Sequence, residues 1–429
     1  MKPPLPFLTL VVTSTSFLFS SGLAMADPSG LAARNWAHWR GPTGNSVSAE
    51  SSPPVNFSDT QNVRWKVAIP GLGSGSPIVW QQRVLVTTAA PAVSGQPNAL
   101  DFMLMCFDRQ TGDLLWQKTC ITAVPHEETH STNTFASASP CTDGDLVFAP
   151  FGSRGLYAFT LDGQPAWQRN DFGLMRMRNG FGEGSSPTLA GDKLIMPWDH
   201  EGQSMLFALD KKTGQTIWQV KRDEPSCWAT PLVIETAKGS QIVMNGENRA
   251  RAYDLETGQE LWSCGGQTQR PVACPVTDGN LVFVGSGFRG SFLGAFDPNG
   301  RGSLEDTSAV AWSVDRDTPD LASLLLSDGR LYYFKGKSGT LTCVDAATGQ
   351  PLYPPQRVPG LRTLYASPVA AGGYVYITDR GGNITVIRDA DTYEVVAENA
   401  MNETVDATPA PVDNQLFIRG QKHLFCIES

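Results

Sequence analysis

Charge is scarce in this chain. Of its 429 residues only 17 % are charged, and 42 Asp+Glu against 33 Lys+Arg leave a formal charge of −9. That thin, acidic balance argues against a nucleic-acid protein held by phosphate contacts. With 41 % hydrophobic residues the chain is not disordered, and it lacks the Ala, Glu, Lys and Leu bias of a coiled coil. Beyond the amino-terminal segment, no apolar run reaches the roughly 18 residues that a bilayer span needs. No glycine-rich stretch opens a helix as a phosphate-binding loop does; Gly71-Leu72-Gly73-Ser74-Gly75 precedes a strand-like run instead. No cysteine precedes Cys106, so no lipid anchor is available near the amino terminus. What is plentiful is 42 Gly, 30 Pro and 11 Trp, a turn-rich composition that points to an all-β repeat fold.

The first segment reads as an address. Lys2 precedes an apolar stretch from Leu5 to about Leu23, which ends in the small-x-small pattern Ala24-Met25-Ala26. Residues 1–26 are therefore expected to be a secretory signal peptide, and the mature chain to be periplasmic or extracellular without a lipid anchor. Residues 27–61 are assigned as an amino-terminal extension and 62–429 as a single repeat domain.

Two patterns recur. Asp108-Arg109-Gln110-Thr111-Gly112 is followed by Trp116, Asp210 to Gly214 by Trp218, and Asp254 to Gly258 by Trp262; Asp345 to Gly349 ends on Tyr353 instead. The closing positions 65, 116, 167, 218, 262, 312, 353 and 396 recur at the period of propeller blades. Between them, strand openers such as Ala138-Ser139-Pro140 and Ala407-Thr408-Pro409 lead into Asp-Gly hairpins, of which Asp143-Gly144 and Asp278-Gly279 are examples. Each unit reads as four short antiparallel strands. Eight units are counted; the last lacks an outer strand, and Arg64-Trp65-Lys66 is a strand to spare at the other end. The expectation is an all-β, eight-bladed β-propeller of four-stranded antiparallel blades, closed by the amino-terminal strand so that no sheet edge is left. Trp65, Trp116, Trp167, Trp218, Trp262 and Trp312 are assigned to packing between blades.

These residues resemble the PQQ-like propeller repeat of quinoprotein dehydrogenases, and the resemblance covers about residues 62–429. The opening Trp36-Ala37-His38-Trp39-Arg40-Gly41-Pro42 also looks like the start of secreted bacterial PQQ-like propellers. The family implies the fold. It divides into quinone-dependent dehydrogenases and non-enzymatic propellers such as the lipoprotein scaffold of outer-membrane β-barrel assembly. The chain departs from both. It has no adjacent cysteines to lie against a quinone, no Cys-x-x-Cys-His haem site, and no cysteine to carry a lipid.

Eight cysteines in an exported chain invite disulfides. Cys106, Cys343 and Cys426 occupy a slot filled elsewhere by Ala, and Cys274 the slot of the strand-opening Ser, so these four read as small core residues. Cys120 with Cys141, or Cys227 with Cys264, remain possible pairs.

Polar residues assigned to the loops on one face give a candidate ligand-binding surface: His126, Glu127, His130, Arg178, Glu183, Asp199, His200, Glu224, Trp228, Asn245 and Arg249. Histidines with carboxylates can bind a metal or move protons, the arginines can receive an anion, and Trp228 with Phe181 can stack on a ring. No catalytic residue and no metal is assigned. The reading is an exported, monomeric, non-catalytic propeller that binds an envelope protein or a carbohydrate, with no cofactor and no nucleic acid. One alternative is a small oxidoreductase using PQQ and Ca²⁺, with Glu183, Asp199, Glu224, Asn245 and Arg249 as its site. Another is a metal-assisted hydrolase on the face of His126, His130 and His200.

Overall fold

The structure, a computed structural model, describes Met1 and residues 33–93 and 96–429. Residues 2–26 of the expected signal peptide lie outside the described residues, so that reading is not addressed by the structure.

Eight antiparallel sheets follow one another around a ring. Blade 1 spans residues 78–123, blade 2 141–169, blade 3 188–222, blade 4 232–264, blade 5 276–314, blade 6 325–357, blade 7 369–400 and blade 8 410–428. The two middle strands of a blade are buried on both faces, as in Lys193–Trp198 and Leu331 to Phe334, because neighbouring blades cover them. The outermost strand, such as Thr216–Arg222, alternates exposed and covered positions, the period-2 signature of a half-buried strand. Blade 8 takes its fourth strand from the other end of the chain. Val63–Ala68 pairs antiparallel with His423–Glu428, setting Trp65 opposite Cys426. Two blades carry a fifth, parallel strand: Val47–Ser48 on blade 7 and Gly302–Ser303 on blade 4.

The Asp-x-x-Thr-Gly turn joins neighbours. Asp108 Oδ1 accepts the backbone N–H groups of Gln110 and Thr111 at 2.8 and 2.9 Å, which fixes the turn. Gly112 then adopts φ +76° with its Cα against the Trp65 indole, where an added Cβ would stand 2.8 Å from the ring. The indole N–H of Trp65 donates to the Arg109 carbonyl at 2.9 Å. The same bond is made by Trp116 to Leu161, Trp167 to Lys211, Trp218 to Leu255 and Trp312 to Ala346. Trp262 donates to Gln241 Oε1 instead, because the insertion in blade 5 replaces the turn it would meet.

A second set of bonds closes the ring on its axis. In every blade the backbone N–H of the strand opener donates to the side chain of the next opener. Ser76 bonds Ser139, Ser139 bonds Ser186, Ser186 bonds Thr230 and Thr230 bonds Cys274 Sγ. Cys274 then bonds Ser323, Ser323 bonds Ser367, Ser367 bonds Thr408, and Thr408 returns to Ser76. This recurring Ser or Thr satisfies a backbone donor that the central axis would otherwise bury alone.

All eight cysteines are free thiols, which corrects the two possible disulfides. The reason is radial. Cys120 lies on the outermost strand of blade 1 and Cys141 on the innermost strand of blade 2. Likewise Cys264 is on the fourth strand of blade 4, whereas Cys227 precedes that blade's innermost strand.

Candidate functional site: a dead-end central cavity

Residues 36–52 of the amino-terminal extension cross one face of the ring and touch every blade. Trp36 pairs with Val79 of blade 1, the Ala37 carbonyl accepts from Thr142 of blade 2, and His38 lies against the Pro187 backbone before blade 3. The Trp39 indole donates to Thr230 Oγ1 before blade 4 at 3.2 Å, and Asn45 donates to the Thr277 carbonyl of blade 5 at 2.7 Å. Arg40 donates to the Leu324 carbonyl before blade 6, the Ser46 carbonyl accepts from Ala370 of blade 7, and Ser52 donates to Asp413 of blade 8. The segment closes the axis on that side, with Trp39 as the floor.

A cavity of about 530 Å³ opens among the inter-blade loops, and a second of about 640 Å³ lies against the extension at Ala37, His38 and Arg40. The walls of the first come from the repeat itself. The lowest tier is the ring of openers, Ser76 through Thr408. The tier above is the residue two positions earlier in every repeat: Ser74, Ser137, Gly184, Trp228, Val272, Leu321, Tyr365 and Asp406. A step of two along an extended strand returns a side chain to the same face, so both tiers point inward. His130, Thr132, Phe181, Arg270, Phe288 and Lys337 form the upper walls.

The chemistry of these walls is aromatic with paired charges. The Arg270 guanidinium stands 3.9 Å from the centre of the Phe288 ring and forms an ion pair with Asp320 at 2.8 Å. Lys337 Nζ donates to the Tyr365 hydroxyl at 2.7 Å, and that hydroxyl also accepts from Thr132 at 2.9 Å. Arg380 meets Asp406 at 3.4 Å. Burial pushes the Asp406 carboxyl up to about 6, with Arg380 opposing the shift and Asp379 adding to it. Burial raises Asp320 too, against the pull of Arg270 and Lys337.

The residues singled out from sequence divide among several environments. His130 and Trp228 line the cavity; His130 stands edge-on to Phe181, and the Trp228 indole donates to the Gly182 carbonyl at 2.7 Å. His126, Glu127 and Glu183 gather outside it, with donor atoms all within 4.8 Å of one another, a set that could hold a divalent metal. There His126 Nε2 contacts the Met175 carbonyl at 2.6 Å, and Glu183 accepts the Ser153 N–H at 2.7 Å and hydroxyl at 2.5 Å. Burial raises the Glu183 carboxyl despite those bonds. His200 is not part of this group; its Nδ1 accepts backbone N–H groups from Arg176 and Gly202, both at 3.2 Å.

The remaining candidates are engaged within the fold. Asp199 holds Arg222 in a buried two-point ion pair at 2.8 and 3.0 Å, and Tyr253 accepts from the same guanidinium. Glu224 pairs with Arg251 and accepts the Asn248 N–H at 2.8 Å. Asn245 donates to the Ala273 and Gly285 carbonyls, both at 2.9 Å. Arg249 pairs with Glu305, and Arg178 with Glu247 and Glu201. Glu183, Asp199, Glu224, Asn245 and Arg249 are thus absent from the residues that line the cavity. Sequence reasoning overlooked Trp39, Arg270, Phe288, Lys337 and Tyr365. Reading two positions back from each opener, in register across the repeats, would have found Tyr365.

The fold and repeat define a PQQ-like propeller. More narrowly, the chain belongs to the family described as outer membrane protein assembly factor BamB, whose model matches residues 44–171, 101–353 and 246–429. A search of curated protein sequences returned no match. Among solved structures it is similar to BamB from Moraxella catarrhalis, at 14 % identity and TM-score 0.54 over 85 % of this chain and 98 % of that one. It is also similar to the quinohemoprotein alcohol dehydrogenase from Comamonas testosteroni, at 11 % identity and TM-score 0.60 over 93 % of this chain and 84 % of that one. A third is the quinohemoprotein alcohol dehydrogenase ADHIIG from Pseudomonas putida HK5, at 12 % identity and TM-score 0.62 over 93 % and 80 %. At these identities the likeness is one of fold.

Proposed function

We propose that the protein is a non-catalytic binding propeller of the cell envelope that holds a saccharide in its central cavity. The observation that carries this is the cavity itself, lined by Trp39 of the extension, by the ring of strand openers and by His130, Phe181 and Lys337 of the loops. Its volume falls within the roughly 300–1,000 Å³ usual for small-ligand sites, too narrow for a folded partner. Aromatic faces at Trp228, Phe181, Phe288 and Tyr365 suit the C–H face of a sugar ring, and the flanking ion pairs suit its hydroxyls. The signal-like segment 1–26 and the family's link to the outer membrane support export.

The test is calorimetric titration of the mature protein with mono- and disaccharides. Saturable binding that is lost in Trp228→Ala and kept in Trp116→Phe, a change at the blade periphery, supports the reading. No saccharide binding by folded protein overturns it.

A second reading, a metal-assisted hydrolase, is favoured by the converging donors of His126, Glu127 and Glu183. It requires stoichiometric Zn²⁺ binding that disappears in His126→Ala, together with hydrolysis that depends on the metal.

A further inference from the structure

Between blades 8 and 1 a narrow cleft of about 50 Å³ adjoins the central cavity, and Ser74, Thr132, Asn133 and Asp406 line both. Arg419 lines the cleft from the end of the strand Gln415–Arg419. Its side chain is almost completely buried, yet it makes a single hydrogen bond, from Nη1 to the Gly420 carbonyl at 2.9 Å. Nε and Nη2, the two N–H groups that grip a carboxylate side-on, have no partner. No carboxylate among the described residues forms an ion pair with Arg419. Glu403, the acid whose charge it feels, is bound instead to His423 Nδ1 at 2.8 Å. Burial pulls the Arg419 guanidinium down to about 10, which leaves it protonated at neutral pH.

The surroundings share this incompleteness. Arg380 brings a second cation to the cleft, and Asp406, which meets it through Oδ2, leaves Oδ1 buried and without a partner. A buried guanidinium without a counter-ion is strongly unfavourable, and its fork matches a planar carboxylate in geometry and charge. The other buried arginines of this face do not share the defect: Arg222 and Arg251 each hold a carboxylate.

We propose that this cleft receives the carboxylate of the ligand bound in the cavity, and that the ligand is therefore an acidic sugar of the hexuronate class. The proposal rests on the reading of the cavity as a saccharide site. The sugar ring lies in the cavity against Tyr365 and Trp228, and its carboxylate reaches the Nε and Nη2 groups of Arg419 past Asp406.

The test compares galacturonate with galactose, which differ at that carboxylate, by calorimetry on the mature wild-type protein and on Arg419→Met. The wild type is expected to bind galacturonate about tenfold or more tightly than galactose. Arg419→Met is expected to erase that preference while leaving galactose affinity in place. Equal affinity of the wild type for the two sugars overturns the inference, leaves the saccharide reading standing, and assigns ordered water to the Arg419 fork. A preference that survives in Arg419→Met also overturns it. If neither sugar binds, both fall. If Arg419→Met does not fold, Arg419→Lys keeps the charge but not the fork and must lose most of the preference.

Discussion

Two polar regions on the same face of this propeller use similar residues to opposite ends. Around blades 3 and 4, Asp199 holds Arg222, Glu224 holds Arg251, and Arg178 lies between Glu247 and Glu201. Around blades 8 and 1, Arg419 holds nothing but a neighbouring carbonyl, and one oxygen of Asp406 is idle. The first region reads from sequence as the richer site, because its acids, bases and amides crowd together. It is a set of internal struts. The second offers few residues, and its distinguishing feature is unmet bonding capacity. Density of functional side chains is thus a poor guide in a repeat protein; the guide is whether their partners are internal.

The sharpest way to break this comparison is to remove one strut. Asp199→Ala leaves Arg222 buried and unpaired and should cost about 3–5 kcal/mol, read as a lowered midpoint in urea unfolding. A loss under about 1 kcal/mol would place Arg222 in contact with water and dissolve the contrast.

A smaller effect comes from Asp406. Its folded carboxyl sits at about 6, above the usual carboxylate value, so the folded state holds the proton more tightly than the unfolded chain. The stability it contributes is full below about pH 4 and declines as pH rises through about 6, by about 3 kcal/mol. Arg380, Asp379 and Arg419 are the charged groups that face it. Asp406→Asn should flatten the unfolding free energy between those pH values, and an unchanged slope would contradict the assignment.

The smallest expected change is the most telling. Arg419→Met removes a buried cation that has no counter-ion, so stability should hold or rise by about 1 kcal/mol, whereas Arg222→Met should lose several. Equal losses in thermal unfolding would show that Arg419 is a strut like the others.

Much of the fold was legible. The Asp-x-x-Thr-Gly turn meets a Trp once per repeat, and the spare strand at Trp65 matches the strand missing after Ile427. Both signals are local chemistry repeated at a fixed period, which one sequence displays. The cavity was much less so, because each blade contributes only a few residues to it and these sets are separated by the length of a repeat. His126, His130 and His200 share a face but stand in three environments, and only backbone direction separates them. Trp39 was passed over because nothing in residues 36–52 announces that the segment crosses the axis and touches every blade.

The most direct measurement is a crystal structure of the mature protein with galacturonate bound at saturation. The account predicts a single sugar above Trp39 and against Tyr365 and Trp228, its carboxylate within hydrogen-bonding distance of Arg419 Nε and Nη2. A cavity holding only water, or a sugar bound on the outer surface with the Arg419 fork bonded to solvent, would contradict it.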